Sequence, residues 1–228
     1  MFRIVPFGCL PLLLVVALAI LFPIFLADAM AAALAKLGLS AGASLAVVAA
    51  MFIGGLFNIP LKRVPRIMSV DTAPLDLYGA GRMFPRWFRQ PSSTVIAVNV
   101  GGCVIPCVLV AYELSRIAQR GPAALGMTAA AVAVNAAICF RLARPVPNVG
   151  VVLPPLAPAL AAAACGFFFM RGFAPPVAFA AGVLGPLVGA DLLNLRRIAH
   201  GGAGIVSIGG AGTFDGIVLS GLFATLLS

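Results

Sequence analysis

The chain has 228 residues, of which 62% are apolar and only 9% are charged, with a formal net charge of +9. Soluble domains are about 45–50% apolar and about 25% charged, and a single soluble core of this size could not bury so much apolar surface. The composition therefore excludes a soluble enzyme, a disordered regulator and a collagen-like fibre, and the unbroken apolar runs argue against an outer-membrane barrel, whose strands alternate apolar and polar residues.

The apolar runs predict a transmembrane helix bundle, because a hydrocarbon core of about 30 Å requires about 20 apolar residues in a helix. We predict an all-α fold of about seven spans that forms one integral membrane domain over residues 1–228. The triplet Ala27-Asp28-Ala29 resembles a signal-peptide cleavage site, but we expect the first span to be retained and followed by a short interfacial helix over 28–37. The predicted spans cover residues 7–26, 40–57, 94–114, 123–140, 153–170, 175–193 and 205–227.

The basic residues predict the orientation of these spans in the inner (cytoplasmic) membrane. With the N-terminus inside and the C-terminus outside, the outer segments contain only Lys36, Arg116, Arg120 and Arg171, and the other basic residues face the cytoplasm. The loop over 58–92 is then a basic cytoplasmic loop that contains the single tryptophan, Trp87. Aromatic residues among arginines can bind RNA, but beside a membrane they favour anchoring at anionic lipid head groups. We therefore expect residues 62–89 to contact lipid and expect no nucleic-acid partner.

A carboxylate in the middle of a span costs about 2.5–3.5 kcal/mol, so such a residue is a functional candidate. The chain has six acidic residues. Four are expected outside the spans or in a boundary ion pair with Arg116: Asp28, Asp71, Asp76 and Glu113. The two that remain are Asp191, near the inner end of span six, and Asp215, inside the last apolar run. Because consecutive helices with a short connection are antiparallel neighbours, we expect these two aspartates to approach each other from the same side.

Two neighbouring carboxyl groups share a proton, and one can then activate a water while the other protonates the carbonyl under attack. The glycine-rich segment over 201–214 can break the last helix and line a polar cavity with backbone. Span six has a face of small residues, Gly182, Gly185 and Gly189, that permits close helix approach. Asp191 points away from this face in an ideal helix, unless Pro186 kinks the helix. The alternative is that each aspartate only satisfies nearby backbone, with Asp215 as a helix N-cap.

A proline-rich segment over 145–156 precedes span five and favours extended, unpaired backbone, although it is equally typical of an irregular helix entrance. The five cysteines lie in apolar segments without a C-x-x-C pair, and we expect them to act as small hydrophobes in the bundle. Asn99 and Asn135 are expected to form interhelical hydrogen bonds. The sequence contains no metal-ligand cluster, phosphate loop or G-x-S-x-G motif, so we predict no metal and no cofactor.

Gly189-Ala190-Asp191 and Gly212-Thr213-Phe214-Asp215-Gly216 resemble the C-terminal motifs of an uncharacterised family of prokaryotic polytopic membrane proteins, which implies the architecture but no activity. Gly212-Thr213-Phe214-Asp215 also resembles the Gly-x-hydrophobic-Asp motif of the intramembrane aspartyl proteases, such as presenilin and the prepilin peptidases. Pro158-Ala159-Leu160 is similar to the Pro-Ala-Leu tripeptide of presenilins, in which it follows both aspartates rather than preceding them.

These patterns predict an intramembrane aspartyl peptidase-like protein with Asp191 and Asp215 as the catalytic pair and a membrane protein as substrate. The residues expected to contact the substrate are Gly209, Gly210, Gly212, Thr213, Pro158 and Asn194. Two alternatives remain open. Buried acids and broken helices also build proton-coupled transporters, and a non-catalytic membrane scaffold would use both acids only as caps or ion-pair partners.

Overall fold

The computed structural model describes residues 10–67, 91–146, 150–154, 156–195, 204–210 and 215–228. Within these residues the chain is mostly helical, with seven α-helices: α1 (Leu10–Lys36), α2 (Ala41–Gly54), α3 (Ile105–Ala118), α4 (Pro122–Leu142), α5 (Ala157–Phe169), α6 (Ala174–Pro186) and α7 (Gly216–Leu227). A π-helical segment, Val100–Val104, precedes α3, and a second one, Leu187–Leu192, continues α6. The strands are β1 (Asn58–Ile67), β2 (Pro91–Asn99), β3 (Arg144–Val146), β4 (Gly150–Val152) and β5 (Gly204–Ile208).

Four helical stretches in the described residues are long and apolar enough to cross a membrane. They are Pro11–Lys36, Val100–Ala118, Pro122–Leu142 and Arg171–Leu192. The remaining helices, α2, α5 and α7, are equally apolar but only 12 to 14 residues long. The expectation of membrane-spanning helices is confirmed at this level, by length and composition.

The all-α expectation was wrong, because the structure also contains a small sheet. Strand β2 pairs antiparallel with β1 and parallel with β5, and β3 pairs with β4 in a separate antiparallel hairpin. Predicted spans three and seven therefore begin with strands, at Thr94 and Ile205, rather than with helices. The reason is that a short apolar run such as Thr94-Val95-Ile96 is rich in β-branched residues and has no periodicity that separates a strand from a buried helix.

The first helix is longer than the sequence predicted. Residues 28–36 do not form a separate interfacial helix but continue α1 without a break to Lys36. The alanine-rich sequence after Asp28 has a high helix propensity and contains no glycine before Gly38, which has a positive φ of 86° and follows the helix end. The helix also continues through Pro23, which is tolerated in helices of membrane proteins.

The helices alternate in direction, so their ends meet in two groups. At one end, which we call the loop end, Lys36 Nζ donates a hydrogen bond of 2.6 Å to the Leu226 carbonyl, and Arg116 donates to the Leu37 carbonyl. The guanidinium of Arg120 lies there 3.7 Å from the ring centre of Phe173, in the connection between α5 and α6. The five strands in the described part of the chain follow or precede the opposite helix ends, which we call the hairpin end.

Helix α6 lies at the centre of the bundle, and its small residues permit the close packing that the sequence predicted. A Cβ on Gly182 would lie 2.8 Å from the Gly221 Cα of α7, and a Cβ on Gly189 would collide with the Ala136 carbonyl of α4. Asn135 Nδ2 of α4 donates a 2.8 Å hydrogen bond to the Ala181 carbonyl of α6, as expected for a buried interhelical amide. The glycine face therefore holds two different helices against α6.

Candidate functional site

Asp191 and Asp215 line the same cavity, which has a volume of about 280 Å³ at the hairpin end of the bundle. Both side chains are partly buried, and Asp191 interacts electrostatically with Asp215. The other residues that line this acid cavity are mostly apolar: Val151, Val152, Leu153, Pro186, Ala190, Gly216 and Ile217. The structure thus brings the two aspartates that the sequence singled out to one mostly apolar cavity.

Asp191 reaches the cavity from the π-helical segment that continues α6. Pro186 has no N–H to donate to the Gly182 carbonyl, so the α-helical pattern is interrupted at this point. After it, the Leu193 N–H donates to the Val188 carbonyl at 3.0 Å, five residues back. A π-turn contains more residues than an α-turn and rotates the following side chains around the axis. The interruption therefore lets α6 direct both Gly182 and Asp191 toward α7.

Asp215 is the N-cap of α7. Its backbone is extended, with φ −71° and ψ 148°, and its Oδ1 accepts a 2.9 Å hydrogen bond from the Ile217 N–H. A side-chain oxygen at this position satisfies one of the unpaired N–H groups of the first turn, and its negative charge is favourable at the positive end of the helix dipole. The capping alternative is thus observed for Asp215, in a residue that also lines the acid cavity.

The extended segment before α5 forms one wall of the acid cavity. Strand β4 contributes Val151 and Val152, and Leu153 follows directly. Pro158, which the sequence predicted as a substrate contact, lies buried in the first turn of α5 and is not among the lining residues. The wall is therefore built by residues 151–153, from within the proline-rich segment but before the tripeptide that begins at Pro158.

Asn194, another predicted substrate contact, is buried and bonded to its own helix. Its Nδ2 donates to the Ala190 carbonyl at 3.0 Å and to the Gly189 carbonyl at 3.3 Å. These carbonyls lack partners at a helix end, so the Asn194 side chain completes the end of the π-helical segment that presents Asp191. In this arrangement Asn194 positions Asp191 rather than lining the cavity itself.

The glycine-rich segment is partly described. Gly209 has a positive φ of 70°, and a Cβ there would lie 2.7 Å from the Gly102 carbonyl carbon, so this turn requires glycine to pack against the π-helical segment before α3. Gly210 is exposed in the same turn, and its N–H donates to the Ser207 carbonyl at 3.1 Å. The predicted contacts Gly212 and Thr213 lie outside the described residues, as do Asp71 and Asp76.

A second polar cluster joins the sheet to the helices. Its central residue, Asn99, was expected in a bond between helices, but it lies at the end of β2 and bonds to residues that follow α2. Asn99 Nδ2 donates to the Gly55 carbonyl at 2.8 Å and to Asn58 Oδ1 at 3.2 Å, while its Oδ1 accepts from the Gly102 N–H at 2.7 Å. Ser207 Oγ of β5 donates to the same Asn58 Oδ1 at 2.5 Å. Sequence reasoning identified Asn99 but missed Asn58 and Ser207; the only signal for Asn58 was its position between an apolar run and a basic one.

The remaining described acids lie away from the acid cavity. Glu113 is fully buried and forms a 2.9 Å ion pair with Arg116, as the sequence predicted. Asp28 is exposed on α1. Cys103 and Cys139 are buried among the apolar residues of the bundle. Among the described residues, no three His, Cys, Asp or Glu side chains are grouped as metal ligands.

The fold and the cavity show what class of protein this is. It is a mostly helical protein with helices able to cross a membrane, and two of its aspartates line one cavity. The family described as Protein of unknown function (DUF1614) matches residues 52–227, and the chain belongs to this family. The match includes both aspartates and the β4 wall. No curated protein and no solved structure matches the chain.

Proposed function

We propose that this protein is an intramembrane aspartyl peptidase-like enzyme that hydrolyses a peptide bond in a membrane-embedded substrate, with Asp191 and Asp215 as the catalytic pair. The observation that carries the proposal is that both aspartates line a single cavity of about 280 Å³. An acid pair that served only as caps would have no need to share a cavity. The apolar lining suits the side chains of a membrane-embedded peptide.

The chemistry requires one carboxylate and one carboxylic acid on either side of the peptide bond. The carboxylate removes a proton from a water, the water oxygen bonds to the carbonyl carbon, and the carboxylic acid protonates the carbonyl oxygen. Collapse of the resulting tetrahedral diol breaks the C–N bond, and the amine leaves with a proton from the pair. The products are a new carboxyl end and a new amino end, and no metal or cofactor enters the balance.

We also propose that all seven α-helices cross the inner membrane, with the N-terminus inside, the C-terminus outside and the hairpin end in the cytoplasm. Helix α7 has 12 residues and is therefore about 18 Å long, which is shorter than a hydrocarbon core of about 30 Å. In this proposal β5 spans the remaining distance on the cytoplasmic side. Asp215, which lies between β5 and α7, is then inside the membrane rather than at its surface. Non-helical backbone at this depth is tolerated only where protein or water covers it, so a water-filled cavity is expected here.

The test uses purified full-length protein in phospholipid vesicles with a library of single-span membrane peptides, and products are identified by mass spectrometry. Asp191→Asn and Asp215→Asn should each abolish cleavage, because neither amide can exchange the proton. The matched control is Asp28→Asn, which makes the same change on an exposed position of α1 and should leave cleavage intact. Full activity in either cavity variant would overturn the proposal.

A proton-coupled transporter is the second candidate, and the π-helical interruptions favour it. One interruption contains Cys103 and the other contains Asp191, and helices broken near a buried acid also form midplane transport sites. A transporter would produce no peptide fragments. Instead, proton flux into vesicles of the same protein would be lost in both cavity variants and retained in the Asp28→Asn control.

A further inference from the structure

The basic residues at the two ends of the bundle have different surroundings. At the loop end, each of the four described cations has a partner within the chain. Lys36 bonds to the Leu226 carbonyl, Arg116 pairs with Glu113, and Arg120 lies over the Phe173 ring. Arg171 lies 4.4 Å from the ring centre of Phe167. These cations are therefore used to hold the helix ends together.

At the hairpin end, four exposed cations have no such partner among the described residues: Lys62, Arg63, Arg141 and Arg144. The acidic residues described at this end are Asp191 and Asp215, and both face the acid cavity. Four cations that lack a partner among the described residues make this end of the described bundle strongly positive. Such a surface attracts anions from the adjoining solvent or lipid.

Two of these cations, Arg141 and Arg144, line a groove of about 390 Å³ beside the acid cavity. Arg141 lies in the last turn of α4, and Arg144 begins β3 directly opposite Val152 of β4. The remaining lining is apolar: Leu142, Val152, Leu153 and Pro154. Val152 and Leu153 also line the acid cavity, so the two cavities share a wall.

We propose that this groove binds one anionic phospholipid, with its phosphate held between the guanidinium groups of Arg141 and Arg144. Guanidinium groups bind phosphate through paired, charge-assisted hydrogen bonds. Leu142 and Val152 are exposed next to the arginines. The acyl chains of the lipid would cover these two side chains, which would otherwise face water. A soluble anion would use the two arginines but would gain nothing from this apolar wall.

The lipid would lie against the wall that separates the groove from the acid cavity. Its position depends only on Arg141, Arg144 and the β4 segment, so the inference is independent of the peptidase proposal. The groove also differs from the basic surface of β1. Lys62 and Arg63 lie there on an exposed edge strand and do not line the groove.

The test is native mass spectrometry of the delipidated full-length protein in detergent, titrated with phosphatidylglycerol or phosphatidylcholine. The wild-type protein should bind one phosphatidylglycerol in preference to phosphatidylcholine. Arg141→Gln with Arg144→Gln should weaken this binding about 30-fold, as expected for two lost cation–phosphate contacts. The matched control is Lys62→Gln with Arg63→Gln, which removes the same charge from the same end. These residues are expected to contact the head groups of a bilayer, which is absent in detergent, and they do not line the groove, so the control should change the binding less than about threefold.

Three results would overturn the proposal. The first is a wild-type protein that binds both lipids equally, which needs no variant to be folded. The second is an equal loss of binding in both double variants, which would indicate a diffuse field rather than a site. The third is competition by soluble glycerol phosphate at the same concentration as the lipid, which would indicate a free-anion site without an acyl component.

Discussion

Asp191, at the π-helical end of α6, lines the same cavity as Asp215, the residue that caps α7. Two local features produce this relationship. Pro186 interrupts α6 just before Asp191, and the extended backbone of Asp215 places its carboxyl group at the first turn of α7. The pairing of the acids thus depends on two helix ends, which can be altered separately by mutation.

The cap and the proposed chemistry of Asp215 can be separated by two substitutions. Asparagine is as good an N-cap as aspartate, so Asp215→Asn should keep the thermal stability of the protein while removing the acid. Asp215→Ala should lose the bond to the Ile217 N–H and about 1 kcal/mol of stability. Thermal unfolding in detergent, followed by circular dichroism, measures this difference.

The control for this pair is Ser40→Ala, which removes the Ser40 Oγ cap of α2 at the loop end. It should cost a similar amount of stability but leave any activity of the acid cavity unchanged. Equal destabilisation by Asp215→Asn and Asp215→Ala would contradict the prediction, because the charge and not the cap would then stabilise α7.

Two Gly→Ala substitutions, one at a close helix contact and one in open space, should have opposite effects on stability. At Gly189 a Cβ would collide with the Ala136 carbonyl of α4, so Gly189→Ala should destabilise the protein by about 1–3 kcal/mol. At Gly126, in the second turn of α4, no atom lies within 4 Å of an added Cβ. Gly126→Ala should therefore stabilise the helix by about 0.5–1 kcal/mol. Detergent unfolding midpoints of the two variants test the prediction, which fails if both shift in the same direction.

The buried ion pair at the loop end predicts a strong asymmetry between neighbouring arginines. Arg116→Ala leaves the fully buried Glu113 without its partner and should cost about 3–5 kcal/mol. Arg120→Ala removes only a contact with the Phe173 ring and should cost about 0.5–1 kcal/mol. Adding Glu113→Gln to Arg116→Ala should recover part of the loss, as measured by a double-mutant cycle of unfolding free energies. No recovery would mean that Arg116 acts through the Leu37 carbonyl alone.

The proposed orientation predicts which single cysteines react from outside the membrane. In a variant whose native cysteines are replaced by alanine, Gly172→Cys lies in open space at the loop end and should react with a membrane-impermeant maleimide in intact cells. Arg63→Cys, on exposed β1 at the hairpin end, should react only after the membrane is permeabilised. The reverse pattern would invert the topology, and equal labelling of both in intact cells would argue against a membrane-spanning bundle.

Several parts of the fold were predictable because they depend on local composition. Apolar runs of about 20 residues predicted the membrane-spanning helices, and the glycine face of α6 and the amide of Asn135 predicted close helix packing. The ion pair of Glu113 with Arg116 followed from their spacing of one turn. Strand β2 was not predicted, because short apolar segments fit helix and strand equally well. The continuity of α1 through Asp28 was not predicted, because a charged residue after an apolar run was interpreted as the end of the span.

The sequence by itself determined that this chain needs an apolar solvent and that Asp191 and Asp215 stand in apolar surroundings, since both follow from residue types along the chain. Only the tertiary structure decided that these acids share a cavity and that β4 forms one wall of that cavity. It also decided that the Asn194 side chain hydrogen-bonds to the end of its own helix. The physical reason is that an ideal helix fixes a side chain's direction from its position, whereas a π-turn after Pro186 changes that direction. The groove of Arg141 and Arg144 likewise exists only because β3 returns against β4.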